Sequence, residues 1–208
     1  MRELRLPVGD RKLVQIVDAA LVDATRRSGS WLVCRPGCNQ CCVGVFAINQ
    51  LDAARLKKGL VELEQREPAR AAAARAAAVR SRSSAAAARL SSNFPGDPRS
   101  GILAEDAASE ARFEDFANDE ICPVLDPSTG MCDLYESRPL TCRTFGPPVR
   151  SEDGLGVCEL CYRGASDEEI AACEMEVDPG DLEGKLLKKL EAEIGVRGQT
   201  IIAFALRH

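Results

Sequence analysis

The chain has 208 residues, 45% of them hydrophobic, enough for a buried core in one domain of ordinary size and incompatible with disorder throughout. A formal charge of -5 gives a general nucleic-acid-binding role no electrostatic support. One histidine, His208, against ten cysteines excludes a Ser/His/Asp triad, a two-His metalloprotease helix and a mixed Cys/His zinc finger, so any metal site here is a thiolate site.

A helix is expected from about Asp10 to residue 30, where Leu13, Ile16, Val17, Ala20 and Leu21 recur at helical spacing. The charges scattered through residues 1–12 leave no apolar stretch of the signal-peptide kind. The longest apolar runs, Val43 to Ile48 and Ile201 to Leu206, fall far short of the ~20 residues that span a bilayer. A soluble, cytoplasmic protein is therefore expected, with no membrane partner and no nucleic-acid partner. In a reducing compartment, ten cysteines favour metal ligation or redox work over a disulfide framework.

Trp31-Leu32-Val33 delivers the chain to the first cysteines, and Val43 to Ile48 reads as a strand or a buried helix start. Asn49 with Asp52 three residues on resembles a helix N-cap with an acid at N3, opening a helix to about Glu64. Residues 69–90 hold twelve Ala and five Arg with no acid, so a long helix decorated by Arg70, Arg75, Arg80, Arg82 and Arg89 is expected. It reads as a solvated spacer rather than a surface for RNA or an acidic partner, because aromatic interleaving is lacking. The acids of residues 105–120 offer it a partner across the Asn93 to Pro98 turn.

From Cys122 the chain is rich in Pro and Gly. Ser166-Asp-Glu-Glu169 is a capping box opening a short helix, Asp181 to Ile194 reads as an amphipathic helix ending near Gly195, and Thr200 to Leu206 as a strand or terminal helix. The expected fold class is mainly α with short strands: a small, cysteine-rich, metal-organised single domain over 1–208. Within it lie a helical Ala/Arg-rich insertion at 66–118 and a C-terminal helix and tail at 176–208 packing on the core.

The cysteines fall in three sets: Cys34, Cys38, Cys41 and Cys42; Cys122, Cys132 and Cys142; and Cys158, Cys161 and Cys173. Loop-borne thiols flanked by Gly and Pro suit ligation, and Cys158-x2-Cys161 is a common zinc or iron-sulfur half-site. All ten are candidate metal ligands. Adjacent Cys41 and Cys42 are expected to point apart, leaving one for a second site or the core. Arg35, Arg138 and Arg143 are candidate donors to sulfur, offsetting the -2 charge of a dication held by four thiolates. Tyr135 is expected to be a packed ring and Glu136 an Arg partner.

Cys38-x2-Cys41-Cys42, followed by Cys122-Pro-x-Leu and Gly130-x-Cys132-x-x-Tyr135-x-x-Arg138-Pro139-x-x-Cys142-Arg143, resembles the YkgJ-type cysteine-cluster family, to which zinc or iron chelation is ascribed. The resemblance runs from about Cys34 to Phe145. The family's first spacing is C-x2-C-x2-C-C, whereas Cys34 here lies one residue further out. The resemblance implies metal or cluster binding with no assigned role; all-thiolate ligation without histidine suits an iron-sulfur cluster (4Fe-4S) or zinc, for which a structural or electron-transferring role with a protein or redox partner is expected. Through the family's flagellin lysine N-methylase branch, the resemblance implies a protein-modifying enzyme as the alternative. Cys122-Pro123 resembles the ligand followed by proline in ferredoxins, while a four-cysteine zinc site suits the same ligands. The Cys34-x3-Cys38-x2-Cys41 spacing also matches radical S-adenosylmethionine enzymes, but their repeated strand-helix units are missing. No thioredoxin-like βαβ context surrounds either C-x2-C, and Asp153 to Gly156 is too short a glycine pattern to mark a nucleotide site.

Overall fold

The computed structural model describes residues 5–35, 37–66, 68–151 and 154–207; residues 1–4, Asp153 and His208, which entered the sequence reading, lie outside them. Eight α-helices are described, α1 Asp10–Ser28, α2 Gln50–Glu64, α3 Ala69–Leu90, α4 Ala107–Glu114, α5 Leu140–Thr144, α6 Asp167–Ala172, α7 Leu182–Ile194 and α8 Ile202–Leu206. Three short antiparallel hairpins join them: β1 Gly96–Asp97 with β2 Ile102–Leu103, β3 Leu125–Asp126 with β4 Met131–Cys132, and β5 Val149–Ser151 with β6 Gly154–Gly156. The architecture is mainly helical, with short strands confined to these ribbons.

The helix at the centre is α2. Its Asn49 N-cap accepts the Asp52 amide at 3.0 Å, which satisfies one of the donors a helix start leaves free. Leu56, Leu60 and Leu63 face α3 and α8 with Ile48, Val79, Ile202 and Leu206. Leu51 and Ala54 face α1 and α7 with Leu13, Val17, Leu186 and Leu190. Burial on both sides, about 1.5–3 kcal/mol for each large apolar side chain, makes α2 the element on which the rest is assembled.

The Ala/Arg segment is a core helix, not a solvated spacer. Ala72, Ala76, Val79, Ser83, Ala86, Ala87 and Leu90 are buried, at offsets of three, four and seven that form one stripe. Small side chains let that stripe approach α2 and α8 closely. Its arginines bridge outward to Glu64, Glu120 and, from Arg75 and Arg82, Asp133. The expected pairing with the acids of 105–120 is thus realised at Arg89 and Glu120, while the other ion pairs of α3 go to the end of α2 and the loop after Cys132.

Residues 43–48 are extended rather than a helix start. Val43 bridges Ile121 and Ile48 bridges Thr200, so this segment stitches the first cysteines to the second set at one end and to α8 at the other. The capping box at Ser166 forms with both of its hydrogen bonds, and Gly195 closes α7 in the left-handed conformation.

A buried ion triad fastens α1, α2 and α5 together. Arg55 donates to Asp10 Oδ1 at 2.7 Å and to Asp52 Oδ1 at 2.6 Å, and the latter oxygen also accepts the Leu140 amide at 3.0 Å. At Gly59 of α2, a Cβ would lie 2.2 Å from Ser137 Oγ. Only a glycine lets the turn at Tyr135–Ser137 settle onto this helix.

Candidate metal centre

Backbone hydrogen bonds bring the first and second cysteine sets together. The Cys122 amide donates to the Cys42 carbonyl at 2.8 Å and the Gly44 amide to the Glu120 carbonyl at 2.9 Å, flanking the Val43–Ile121 bridge. Cys132 sits on β4 opposite Leu125, and Cys142 lies on α5. Cys122 and Cys132 pack with Phe46 against the α2, α3 and α8 core. Cys41, Cys42, Cys122, Cys132 and Cys142 therefore come together in one half-buried group.

Cys41 and Cys42 do not divide between two places. Both belong to a 3-10 turn, Gln40–Cys42, and each thiol has the largest single influence on the acidity of the other. Cys41 acts on Cys122, Cys132 and Cys142, and Cys42 is acted on by Cys122 and Cys132, so both adjacent thiols lie toward the second set.

The electrostatics of the five thiols are uneven. The Cys42 hydrogen bond, with Arg138 nearby, holds the Cys41 thiol down to about 7 against the opposing effect of burial. Donation to Cys41 drives the Cys42 thiol strongly upward, and burial adds to it. Burial pushes the Cys122 thiol up to about 12, while the backbone at Val124 and Leu125 pulls the other way. Cys132 is raised by burial, with the Leu134 amide and Arg138 pulling the other way. Cys142 is raised well above the ordinary range by burial, then by Cys122, Cys41, Cys132 and Asp52. Such a place resists a second thiolate unless a cation accompanies it, and a metal supplies that cation.

The remaining thiols lie elsewhere. Cys34 Sγ is 3.9 Å from Cys161 Sγ, and burial, then Cys161, then Cys38 and Cys158 hold the Cys34 thiol up. Cys158-x2-Cys161 forms a tight knuckle, with the Cys161 amide on the Cys158 carbonyl at 2.9 Å. Gln40 Nε2 donates to Glu159 Oε1 at 2.6 Å, tying this knuckle to the turn that carries Cys41 and Cys42. Cys173 is buried beside Tyr162, whose hydroxyl pairs with Ser28. Among the described residues, no three His, Cys, Asp or Glu side chains are gathered tightly enough to hold an ion as they stand.

A family model matches residues 33–162, more than half of the chain: the CxxCxxCC family, "Putative zinc- or iron-chelating domain". The chain belongs to this family. No curated protein and no solved structure matches it. The CxxCxxCC match runs past Phe145 and takes in Cys158 and Cys161, so nine of the ten cysteines fall within it and Cys173 falls outside. Among the described residues no helix is long and apolar enough to cross a membrane.

Of the three arginines, Arg143 holds the chain in place and Arg35 lies at the surface. Arg143 is buried, and its guanidinium donates to Asp18 Oδ1 at 2.7 Å and to the Glu136 and Arg138 carbonyls. It orders the turn between Cys132 and Cys142 by gathering oxygens. Arg35 is exposed, and its carbonyl accepts the Cys38 amide. Arg138 stands 3.8 Å over the Tyr135 ring and donates to the Tyr135 carbonyl at 2.9 Å, while its charge acts on Cys41 and Cys132. Tyr135 is half-exposed rather than packed.

The sequence reading passed over Asp133. This residue follows Cys132, is 5% exposed, and accepts Arg75 on Oδ1 and Arg82 on Oδ2, both at 2.7 Å. Arg82 also donates to the Pro123 carbonyl at 2.8 Å, beside Cys122. The long helix thereby fixes two cysteine loops at once. The available signal was an acid next to a cysteine facing a helix that carries arginines and no acid of its own.

Proposed function

We propose that the chain is a thiolate metal-binding protein whose five-thiol group holds an iron-sulfur cluster, in a structural or electron-carrying role. The observation that carries this reading is the convergence of Cys41, Cys42, Cys122, Cys132 and Cys142, from segments far apart in sequence, on one half-buried place under Arg138. A cluster needs four thiolates, and five are at hand. The backbone at Val124, Leu125 and Leu134 and the charge of Arg138 oppose the effect of burial on Cys122 and Cys132, and so favour their thiolate forms. The donor set, five thiols with no histidine among them, is the chemistry such a cluster takes. Zinc is the rival occupant, since four cysteines hold it equally well.

Protein prepared without oxygen and assayed for visible absorption, iron, sulfide and zinc per chain tests this. A brown protein with iron and sulfide in equal amount is expected. A colourless chain carrying zinc alone would sink the iron reading, and a metal-free chain would sink both.

A second reading, a protein-modifying enzyme akin to the flagellin lysine N-methylase branch, is favoured by one feature. A cavity of about 820 Å³ borders α5 next to Cys142, lined by Asp52, Thr141, Thr144, Asp178 and Glu183 among others. Its acids suit a cationic side chain. Calorimetric titration with S-adenosylmethionine separates the two readings: binding supports the enzyme, and the absence of heat supports the carrier.

A further inference from the structure

We propose that Cys34, Cys38, Cys158 and Cys161 form a second, closed zinc site, separate from the five-thiol group. This rests on the metal-thiolate reading above and divides its ligands. The Cys34 and Cys161 sulfurs are 3.9 Å apart. A zinc-sulfur bond of about 2.3 Å gives a tetrahedron whose edges are roughly 3.8 Å, so this pair already spans one edge of a four-thiolate zinc site. A cubane cluster spreads its four thiolates more widely, over separate iron corners. Cys158 shares the C-x2-C knuckle with Cys161 and packs against it, and Cys38 closes the turn that begins next to Cys34, which brings the count to the four that a closed structural site takes.

The chain holds these segments in place through its own backbone. The Tyr162 amide donates to the Trp31 carbonyl at 3.0 Å, laying the residues after the knuckle against those before Cys34. The Cys38 amide closes a turn on the Arg35 carbonyl at 2.9 Å. Gly146, at φ +113°, passes so near that a Cβ there would lie 2.9 Å from Cys34 Sγ. Leu32, Trp31 and Cys158 pack on Cys161 and Tyr162, a small apolar cluster apart from the core that backs Cys122 and Cys132. The one-residue displacement of Cys34 from the family spacing thus coincides with its leaving the five-thiol group for a different partner set. Binding forms four zinc-sulfur bonds, releases the four thiol protons to water and moves no electrons. Its consequence is a tie between the segment before α2 and the segment before α6.

Oxygen-free full-length protein, expressed with both metals supplied, is compared with Cys158→Ser/Cys161→Ser and Cys122→Ser/Cys142→Ser. Wild type is expected to hold one zinc per chain beside its iron. The first variant should lose at least nine-tenths of the zinc and keep its iron and visible absorption; the second should lose iron and colour and keep its zinc. Loss of both metals from a folded first variant, zinc lost from the second, or a wild type with iron and no zinc overturns the division while leaving metal binding intact. A wild type with neither metal overturns the broader reading as well. Should a variant fail to fold, wild type decides alone. Stepwise zinc removal by a chelator should expose Cys34, Cys38, Cys158 and Cys161 to iodoacetamide in proportion to zinc released, with iron retained. Alkylation of these four that does not follow zinc release, or a Cys34–Cys161 disulfide in freshly isolated protein, overturns the proposal.

Discussion

Arg82 Nη2 reaches from α3 to Asp133 Oδ2 at 2.7 Å, and the same guanidinium holds the Pro123 carbonyl through Nε. The carboxylate is buried while Arg82 and Arg75 are partly open to water, so the pair combines desolvation of one partner with screening of the other. Asp133→Ala removes both bonds and strands neither arginine completely. A loss of about 2 kcal/mol in stability is expected, below the figure for a fully buried pair. Urea denaturation of metal-loaded and metal-stripped protein checks this. A larger loss in the loaded form would show that the cysteine loop depends on α3, and equal losses would show that it does not.

Cys41 is the thiol most ready to react when the chain is stripped of metal and reduced. Its acidity near 7, set first by the Cys42 hydrogen bond, makes about half of it thiolate at neutral pH, whereas its neighbours stay protonated. Brief iodoacetamide treatment across pH 5 to 10, followed by peptide mapping, should show Cys41 modified first with a midpoint near pH 7. Cys42→Ala should move that midpoint upward, and Arg138→Met should move it upward by less. A midpoint above 9 in the parent chain would refute the arrangement.

The Asp52 carboxyl is held up at about 6 by burial, which outweighs the opposing pull of Arg55 and the Leu140 amide. The folded chain thus binds a proton more readily than the unfolded one. Stability from this group is full below about pH 4 and is lost as pH rises through 6, on the order of 3 kcal/mol in all. Asp52→Asn keeps an oxygen for Arg55 and Leu140 but cannot titrate. The stability difference between parent and variant, followed by urea denaturation, should change between pH 4 and 7 in the variant's favour. A constant difference would mean that Arg55 keeps Asp52 ionised throughout.

Features that depend on a few neighbouring residues were readable from the sequence. Asn49 with Asp52, Ser166 with Glu169, and Gly195 after Ile194 each act within one helical turn, and each does in the structure what its pattern demands. The role of α3 was not legible, because a stripe of alanines differs too little in hydrophobicity from the rest of an alanine-rich helix to mark a buried face. The division of the thiols was legible only as an anomaly, the extra residue between Cys34 and Cys38. Whether that displacement sends a thiol to Cys161 or merely lengthens a loop is decided by the Tyr162–Trp31 backbone bond, across more than a hundred residues.

The hydrogen bond from the Cys122 amide to the Cys42 carbonyl closes a loop of 79 residues that contains α2, α3 and α4. Joining the ends of so long a loop carries an entropic cost on the order of 4 kcal/mol, which the helices inside it must offset before two cysteines from opposite ends can share a ligand. Packing of the central helices is therefore a condition for bringing the thiols together. An ion captured there would act as a rivet, fixing an already folded loop and slowing its opening far more than it hastens its formation.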